Sequence, residues 1–322
     1  MLIKELLERL TKMKNILFLK ESNKEDISIV GGKGANLGEM FNNNFNVPEA
    51  FVVSAQAYEK FISGNVKNKI IVELKNLDVE DSEKLEKISK KIQDIILKAK
   101  FPDELKKDIE TAYKNTKNFV AVRSSATTED LKTASFAGMQ STFLNINGTK
   151  EVIKHIQKCW ASLFTSRALY YRTKNNFKHI EAASAVVVQK MVDSETSGVC
   201  FTINPINNNK QDIVIEASFG LGEAVVAGEV TPDMYIVHKE NLKIHTKNVN
   251  SQEWGYFKDK TGKTIKKSVK NPDAQVLTDK QIKQVAEMAR KMEQHYNHPQ
   301  DIEFAFEKNK LYLLQSRPIT TV

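Results

Sequence analysis

"DIEFAFEKNKLYLLQSRP", residues 301–318, has the pattern of a β-hairpin. Two runs of alternating apolar residues flank a polar turn. Each arm carries its polar groups at the end farthest from the turn: Asp301 and Glu303 begin one arm, and Gln315 and Arg317 end the other. The register of the two arms therefore determines which of these groups share a face.

A three-residue loop, 308–310, gives the register that best separates polar from apolar side chains. It sets Glu303 opposite Gln315 and Asp301 opposite Arg317, which collects two carboxylates, an amide and a guanidinium on one face. The same register predicts three further pairs: Glu307 with Leu311, Phe306 with Tyr312, and Phe304 with Leu314. From the hairpin alone, the polar face is either a functional site or an exposed surface with a weak ion pair.

The composition is that of a water-soluble globular protein with one large domain or two closely packed ones. The 322 residues are 41% hydrophobic and 27% charged, with a formal net charge of +8. The lysines are spread along helical segments and form no basic block, so we expect no nucleic-acid partner. No apolar run approaches the roughly 20 residues that span a bilayer, so we expect no membrane partner either.

The two cysteines indicate a cytoplasmic location. Cys159 and Cys200 lie far apart in apolar contexts, which fits neither a zinc site nor a disulfide framework. The N-terminal pattern over 1–15 is that of an amphipathic helix rather than a signal peptide.

The order of the elements predicts an α+β fold with two lobes and a cleft between them. The first lobe, 1–183, combines strands with a lysine- and glutamate-rich helical layer at 66–117 and a long helix at 149–172. The second lobe, 184–322, contains short antiparallel strands, a helix capped by Thr278, and the hairpin. We expect the lobes to divide the chemistry between them.

Three stretches of the first lobe could bind an anion or a base, and each also has a purely structural interpretation. The glycine turn 31–34 could aim its amides and Lys33 at a phosphate, or simply turn the chain. The loop 123–142, rich in hydroxyl groups, containing Gly138 and beginning at Arg123, could close over phosphates or merely connect two strands. Gln189 ends an apolar strand that is either a hinge beside an adenine or an ordinary core strand.

Taken in order, the motifs closely resemble the N-terminal nucleotide-binding domain of the pyruvate,water dikinase (phosphoenolpyruvate synthase) and pyruvate,phosphate dikinase family, an ATP-grasp relative. The resemblance runs from about Val30 to Pro318. It rests on seven stretches: "GGKGANLGEM", "VPEAFVVS", "AVRSSATTEDLKTASFAGMQST", "CWASLFTSRALYYR", "VVVQKMVDSETSGVCFT", "IEASFGLGEAVVAGEVTPD" and "DIEFAFEKNKLYLLQSRP". It implies a two-lobed, ATP-grasp-like domain with a mixed helical first lobe and an antiparallel-sheet second lobe.

The resemblance also implies a role for each candidate residue. Lys33 and Arg123 would grip the triphosphate of ATP, and Gly138 and Thr142 would belong to a flap over it. Gln189 would face the adenine. Glu303 and Gln315 would hold Mg²⁺ on the phosphates, and Arg317 would stabilise the transferring phosphoryl group, with Asp301 either contacting the metal or only orienting Arg317. The catalytic residues would thus be Arg123 and Arg317.

Members of this family pass the phosphoryl group to a histidine on a separate swivelling domain, within a Gly-Gly-x-Thr-Ser-His context. None of the six histidines of this chain has that context. We therefore expect a swivelling phosphohistidine domain and a pyruvate-binding domain to be supplied by another chain or to be missing from this one. The resemblance leaves three functions open: phosphoenolpyruvate synthesis, phosphorylation of rifampin by a related phosphotransferase, and nucleotide sensing without turnover.

Overall fold

The computed structural model describes residues 14–116, 119–127 and 141–320. The predicted N-terminal helix and the predicted flap residue Gly138 lie outside these described residues. The α+β class is confirmed, since helices and antiparallel sheets are both present. The described chain forms two compact units, one made of 14–42 and 49–190 and the other of 43–48 and 191–320.

The first unit is built on an antiparallel sheet with the strand order β1-β2-β5-β3-β4. Its strands are β1 (Ile16–Phe18), β2 (Ala50–Val53), β3 (Val120–Ala126), β4 (Thr142–Ile146) and β5 (Ser184–Lys190). Hydrophobic side chains on alternate positions of β2, β3 and β5 are fully buried in the main core. The central strands β3 and β5 carry two of the candidate residues, Arg123 and Gln189.

Helix α1 (Ile27–Asn42) contacts β3 and β5. A break at Gly31, with φ +69° and ψ 170°, interrupts it, so the predicted glycine turn opening a helix is confirmed. The remaining helices of the first unit are α2 (Ala55–Ile62), α3 (Asn65–Leu74), α4 (Ser82–Lys98), α5 (Asp103–Thr116), α6 (Thr149–Ala161) and α7 (Ser166–Lys174). In α4, Ile88, Ile92, Ile95 and Ile96 recur at helical spacing, and all but the partly exposed Ile95 are buried.

The single long helix predicted over 149–172 is wrong. A 3-10 turn, Ser162–Phe164, follows α6, and Thr165 then takes an extended conformation with ψ 153°. The Thr165 hydroxyl accepts a hydrogen bond from the Ala168 amide, which makes it the N-cap of a second helix. A local cap therefore overrides the helical hydrophobic pattern at this point.

The second unit is built on a six-stranded antiparallel sheet with the order β13-β12-β6-β7-β8-β9. Its strands are β6 (Thr196–Phe201), β7 (Asp212–Phe219), β8 (Asp233–His238), β9 (Ile244–Asn248), β12 (Gln300–Glu307) and β13 (Lys310–Pro318). A short helix, α8 (Glu223–Val226), follows β7, and a separate two-stranded hairpin joins β10 (Trp254–Lys258) to β11 (Thr264–Ser268).

One face of the six-stranded sheet is apolar and is covered by α9 (Asp279–Tyr296). The predicted capping box of this helix is confirmed, with Thr278 and Gln281 bonding each other's backbone amides. Paired residues of four neighbouring strands, Ile302, Cys200, Ile215 and Tyr235, are fully buried on this face. The residues that alternate with them point to the opposite face, which carries the polar end of the hairpin.

Within the described residues, no helix is both long and apolar enough to cross a bilayer.

Candidate functional site

The hairpin turn differs from the prediction. Lys308 and Asn309 form a two-residue turn with φ values of 51° and 62°, and Glu307 pairs directly with Lys310. Positive φ at both central positions is the geometry of a type I′ turn, which matches the twist of the strands. The predicted three-residue loop is therefore wrong, as are the three further pairs that followed from it: Phe306 lies opposite Leu311, and Phe304 lies opposite Leu313.

The polar pairs are nevertheless correct, because a β-bulge restores the register. The pairing shifts between Glu303 and Phe304, where Leu314 is an extra residue in β13. Beyond the bulge, Glu303 lies opposite Gln315 and Asp301 lies opposite Arg317. The four polar side chains thus share one face of the sheet, as predicted.

Asp301 and Arg317 form the ion pair at the end of the hairpin. The Nε and Nη2 atoms of Arg317 both donate to Oδ2 of Asp301, at 2.8 and 2.7 Å. The Asp301 side chain is 13% exposed, whereas the Arg317 side chain is 58% exposed. Burial raises the pKa of Asp301 above its ordinary value and outweighs the opposing effect of Arg317, whose charge faces solvent; the neighbouring Glu303 charge raises this pKa further.

Gln315 and Glu303 offer the two oxygen donors that the metal prediction requires. The Oε1 atom of Gln315 is buried and has no hydrogen-bond partner among the described residues. Leaving a buried amide oxygen unsatisfied is costly, so its position opposite the half-buried Glu303 carboxylate suits a ligand that accepts lone pairs. Mg²⁺ prefers such hard oxygen donors and takes the rest of its shell from phosphates and water. The residues present fit the ion.

The described residues contain no larger metal cluster. No group of three or more His, Cys, Asp and Glu side chains among them is arranged to hold a metal ion. The Glu303–Gln315 pair is smaller than such a group, so an Mg²⁺ ion held there would take its other ligands from phosphate and water.

Glu216 belongs to the same polar face, and the sequence pattern did not reveal it. Successive cross-strand pairs place Gln315, Glu303, Val199 and Glu216 in one row over four strands. At the usual strand spacing, the Cα atoms of Glu303 and Glu216 are about 10 Å apart. Glu216 is partly buried, and this burial raises the pKa of its carboxyl. Glu216 shares this face with the hairpin's polar groups because of pairing between strands more than 80 residues apart in the sequence, and the local pattern gives no sign of that pairing.

In the first unit, Lys33 lies directly after the break in α1. Its side chain is 7% exposed, and its Nζ donates to the Ser124 carbonyl oxygen of β3 at 3.1 Å. Ser124 is the residue that follows Arg123, so the two cationic side chains predicted to grip phosphates are anchored at neighbouring positions of one strand.

Arg123, Thr142 and Gln189 come together on the same sheet. Thr142 is the cross-strand partner of Arg123, and Gln189 pairs with Ala121, two residues away on the same face. The Nη1 atom of Arg123 donates to Oε1 of Gln189 at 3.5 Å, and Gln189 is only 3% exposed. The structure therefore brings these three candidates together, although Arg123 and Gln189 are 66 residues apart in the sequence.

Comparison with known proteins agrees with the motifs. The family model "Pyruvate phosphate dikinase, AMP/ATP-binding domain" matches residues 27–322. A probable phosphoenolpyruvate synthase of Methanocaldococcus jannaschii is 48% identical over 322 residues, covering 96% of this chain and 27% of the relative. The phosphoenolpyruvate synthase of Pyrococcus furiosus is 43% identical, covering 95% of this chain and 44% of the relative.

A rifampicin phosphotransferase of Bacillus subtilis is also similar, with 41% identity over 95% of this chain and 36% of the relative. Among solved structures, a D-alanine–D-alanine ligase of Bacillus anthracis is 11% identical, covers 67% of this chain and 56% of its own, and has a TM-score of 0.26, which is too low to bear on the fold.

The chain thus belongs to the pyruvate phosphate dikinase AMP/ATP-binding domain family. It spans less than half the length of each of these three relatives.

Proposed function

We propose that this chain binds Mg-ATP and donates a phosphoryl group from ATP to a histidine on a separate swivelling domain, in the synthesis of phosphoenolpyruvate from pyruvate. The observation that carries the proposal is the pairing of Glu303 with Gln315 beside the Asp301–Arg317 ion pair. A carboxylate, a buried amide oxygen in need of a partner and a guanidinium together suit a metal-bound polyphosphate.

In this proposal the first unit is the lobe that grips the nucleotide. Lys33 and Arg123 bind the phosphates, because both are cations anchored on β3. Thr142, the cross-strand partner of Arg123, lies beside these phosphates, and Gln189 lies on the adenine side. Binding of phosphate would compete with the bonds that Lys33 and Arg123 make to protein oxygens, so nucleotide binding includes an exchange of partners.

The second unit is the metal-binding lobe. Glu303 and Gln315 hold Mg²⁺, which when bound neutralises charge on the phosphates as the phosphoryl group leaves. Arg317 binds the transferring group with its planar fork, and Asp301 holds that fork in place through Nε and Nη2. Asp301 is thus a positioning residue in this scheme. The proton of the acceptor histidine is handled by the acceptor domain in this scheme.

A second candidate function is phosphorylation of an antibiotic. It is favoured by the 41% identity to the Bacillus subtilis rifampicin phosphotransferase, over nearly the same part of the chain as the phosphoenolpyruvate synthases. The residues that handle ATP are common to both proposals, so the acceptor domain separates them. A third candidate is a nucleotide-sensing module that binds Mg-ATP without turnover.

Transfer from ATP labelled at both its β- and γ-phosphates distinguishes these functions. The chain is incubated with Mg-ATP together with a swivelling histidine domain taken from a phosphoenolpyruvate synthase or from a rifampicin phosphotransferase. We expect an acid-labile label on the histidine of the synthase domain, and this labelling should require both this chain and Mg²⁺. Faster labelling of the phosphotransferase domain would favour the antibiotic acceptor. Tight Mg-ATP binding without labelling of either domain would identify a sensing module.

A further inference from the structure

The hydroxyl of Ser125 links the two sides of the break in α1. Ser125 is fully buried in β3. Its Oγ donates to the Val30 carbonyl oxygen at 2.8 Å and accepts from the Gly34 amide at 3.1 Å. Val30 and Gly34 are four residues apart, the separation at which an α-helix forms its own backbone hydrogen bond. The Ser125 hydroxyl therefore bridges the Gly34 amide and the Val30 carbonyl oxygen, two groups that an unbroken helix would join directly.

The backbone packs so tightly at this point that the arrangement has little freedom. A Cβ atom on Gly31 would overlap both the carbonyl oxygen and the hydroxyl of Ser125. The φ of +69° at Gly31 is also one that other residues rarely adopt. The close approach and the two hydrogen bonds together fix the break of α1 against β3.

Lys33 lies inside the segment that Ser125 holds, between Val30 and Gly34. Its Nζ returns to β3 at Ser124, the residue before Ser125, and Arg123 is one residue further back. The two hydrogen bonds of the Ser125 hydroxyl thus help to set the position of the Lys33 backbone relative to Arg123. A shift of this segment would move the lysine relative to the arginine without removing either charge.

We propose that Ser125 is a positioning residue of the phosphate site: it holds Lys33 and Arg123 at the separation that a polyphosphate requires. The inference rests on the proposed binding of Mg-ATP. Ser125 itself is buried beneath α1 and acts through Lys33, so no contact between Ser125 and the nucleotide is involved. Precise placement of charged groups contributes strongly to phosphate binding, because small displacements weaken their hydrogen bonds steeply.

The chain offers a matched control at the other end of α1. Ser22 is also buried, at 1% exposure, and a Cβ on Gly38 would overlap its hydroxyl. The Ser22 hydroxyl donates to the Leu19 carbonyl oxygen at 3.3 Å, within its own turn, rather than to α1. Ser22→Ala therefore perturbs a comparable serine–glycine contact of the same helix, five residues beyond Lys33.

The test measures Mg-ATP affinity by calorimetry and Tm by thermal unfolding for Ser125→Ala, Ser22→Ala, Lys33→Ala and the double variant of Ser125 and Lys33. We expect Ser125→Ala to weaken Mg-ATP binding about tenfold, and Ser22→Ala to weaken it less than about twofold at a similar loss of Tm. In the Lys33→Ala background, Ser125→Ala should change affinity less than about twofold, because the group it positions is gone.

Two results would overturn the inference: unchanged Mg-ATP affinity in Ser125→Ala, or an equal loss of affinity with and without Lys33. If Ser125→Ala does not fold, Ser125→Cys replaces it, since a thiol keeps most of the volume but bonds weakly, and an intermediate loss of affinity is then expected. Failure of the unaltered chain to bind Mg-ATP would refute the proposed function itself, which is a different outcome from normal binding by the serine variant.

Discussion

Replacing Glu303 with glutamine separates a metal-ligand role from a structural one. The substitution removes one negative charge while keeping the size of the side chain and its ability to accept a hydrogen bond. Asp301 lies two residues away on the same face, about 7 Å along the strand. Two unit charges at that distance repel by between about 0.6 kcal/mol in water and about 2.4 kcal/mol at an effective dielectric constant of 20.

The apo protein should therefore be at least as stable as the unaltered chain. The lower end of the range applies, because Arg317 offsets the charge of Asp301 and is itself largely exposed. The Glu303 charge is one cause of the raised pKa of Asp301, so that pKa should fall in Glu303→Gln. A titration of the Asp301 carboxyl carbon by NMR measures this directly.

Binding of Mg-ATP should behave in the opposite way. Loss of a carboxylate ligand should weaken it at least about tenfold, equivalent to about 1.4 kcal/mol, and binding of metal-free ATP should change much less. Glu307→Gln is the matched control. Glu307 lies on the same face of β12 as Glu303, but it is next to the turn and its carboxylate accepts a hydrogen bond from the Asp193 amide. A Glu303→Gln protein that melts early yet binds Mg-ATP normally would refute the metal assignment.

Three further predictions test other parts of the structure. Arg317→Lys should shift Tm by no more than about 2 °C, since an exposed ion pair contributes about 0–1 kcal/mol. The same substitution should reduce phosphoryl transfer more than tenfold, because the planar guanidinium held by Asp301 is lost. Equal loss of stability and transfer would mark the arginine as structural. Burial, and to a smaller extent the charge of Arg172, lowers the pKa of His179 to about 4, so the stability contributed by neutral His179 is present above pH 6.5 and is lost as pH falls towards 4. Discounted for the partial exposure of His179, this contribution amounts to about 1–2 kcal/mol. Urea unfolding of His179→Asn should lack this pH dependence. Burial raises the pKa of Glu216 and so favours its protonated form in the folded state. The free energy of unfolding of Glu216→Gln at pH 7 should therefore be unchanged or higher by up to about 0.5 kcal/mol, and a clear loss of Tm would contradict this.

Alternation of polar and apolar residues was sufficient to predict which polar groups of the hairpin face each other, but not how the chain achieves it. The turn is one residue shorter than predicted, because Lys308 adopts a positive φ that lysine rarely takes. The bulge at Leu314 then adds one residue to β13 and restores the polar pairs. Two local irregularities cancel, and neither has a signature in the alternation pattern.

Caps and glycine turns were predictable where a short-range signal exists. Thr278 and Gln281 form the expected capping box, and Gly31 breaks α1 at the expected glycine turn. Thr165 has the same capping chemistry, but the apolar pattern on both sides of it continued at helical spacing and concealed the break. Local chemistry decides the structure at such a position, whereas periodicity describes only the average.

The long-range parts of the candidate site could not be read from periodicity. Glu216 joins the polar row only through the pairing of β12 with β6 and of β6 with β7. The Ser125 hydroxyl reaches backbone groups more than 90 residues away along the sequence. Such contacts depend on which strands become neighbours, and a single sequence carries that information only weakly.

Calorimetric titration of the purified chain with Mg-ATP measures directly whether the chain binds the nucleotide. We expect one nucleotide per chain, with a Kd between micromolar and millimolar, which corresponds to about 4–8 kcal/mol. The binding should weaken sharply when EDTA removes the metal, and Tm should rise with Mg-ATP concentration, because a ligand that binds only the folded state stabilises it. No heat and no change in Tm at millimolar Mg-ATP would contradict the assignment of this chain as an ATP-binding phosphoryl donor.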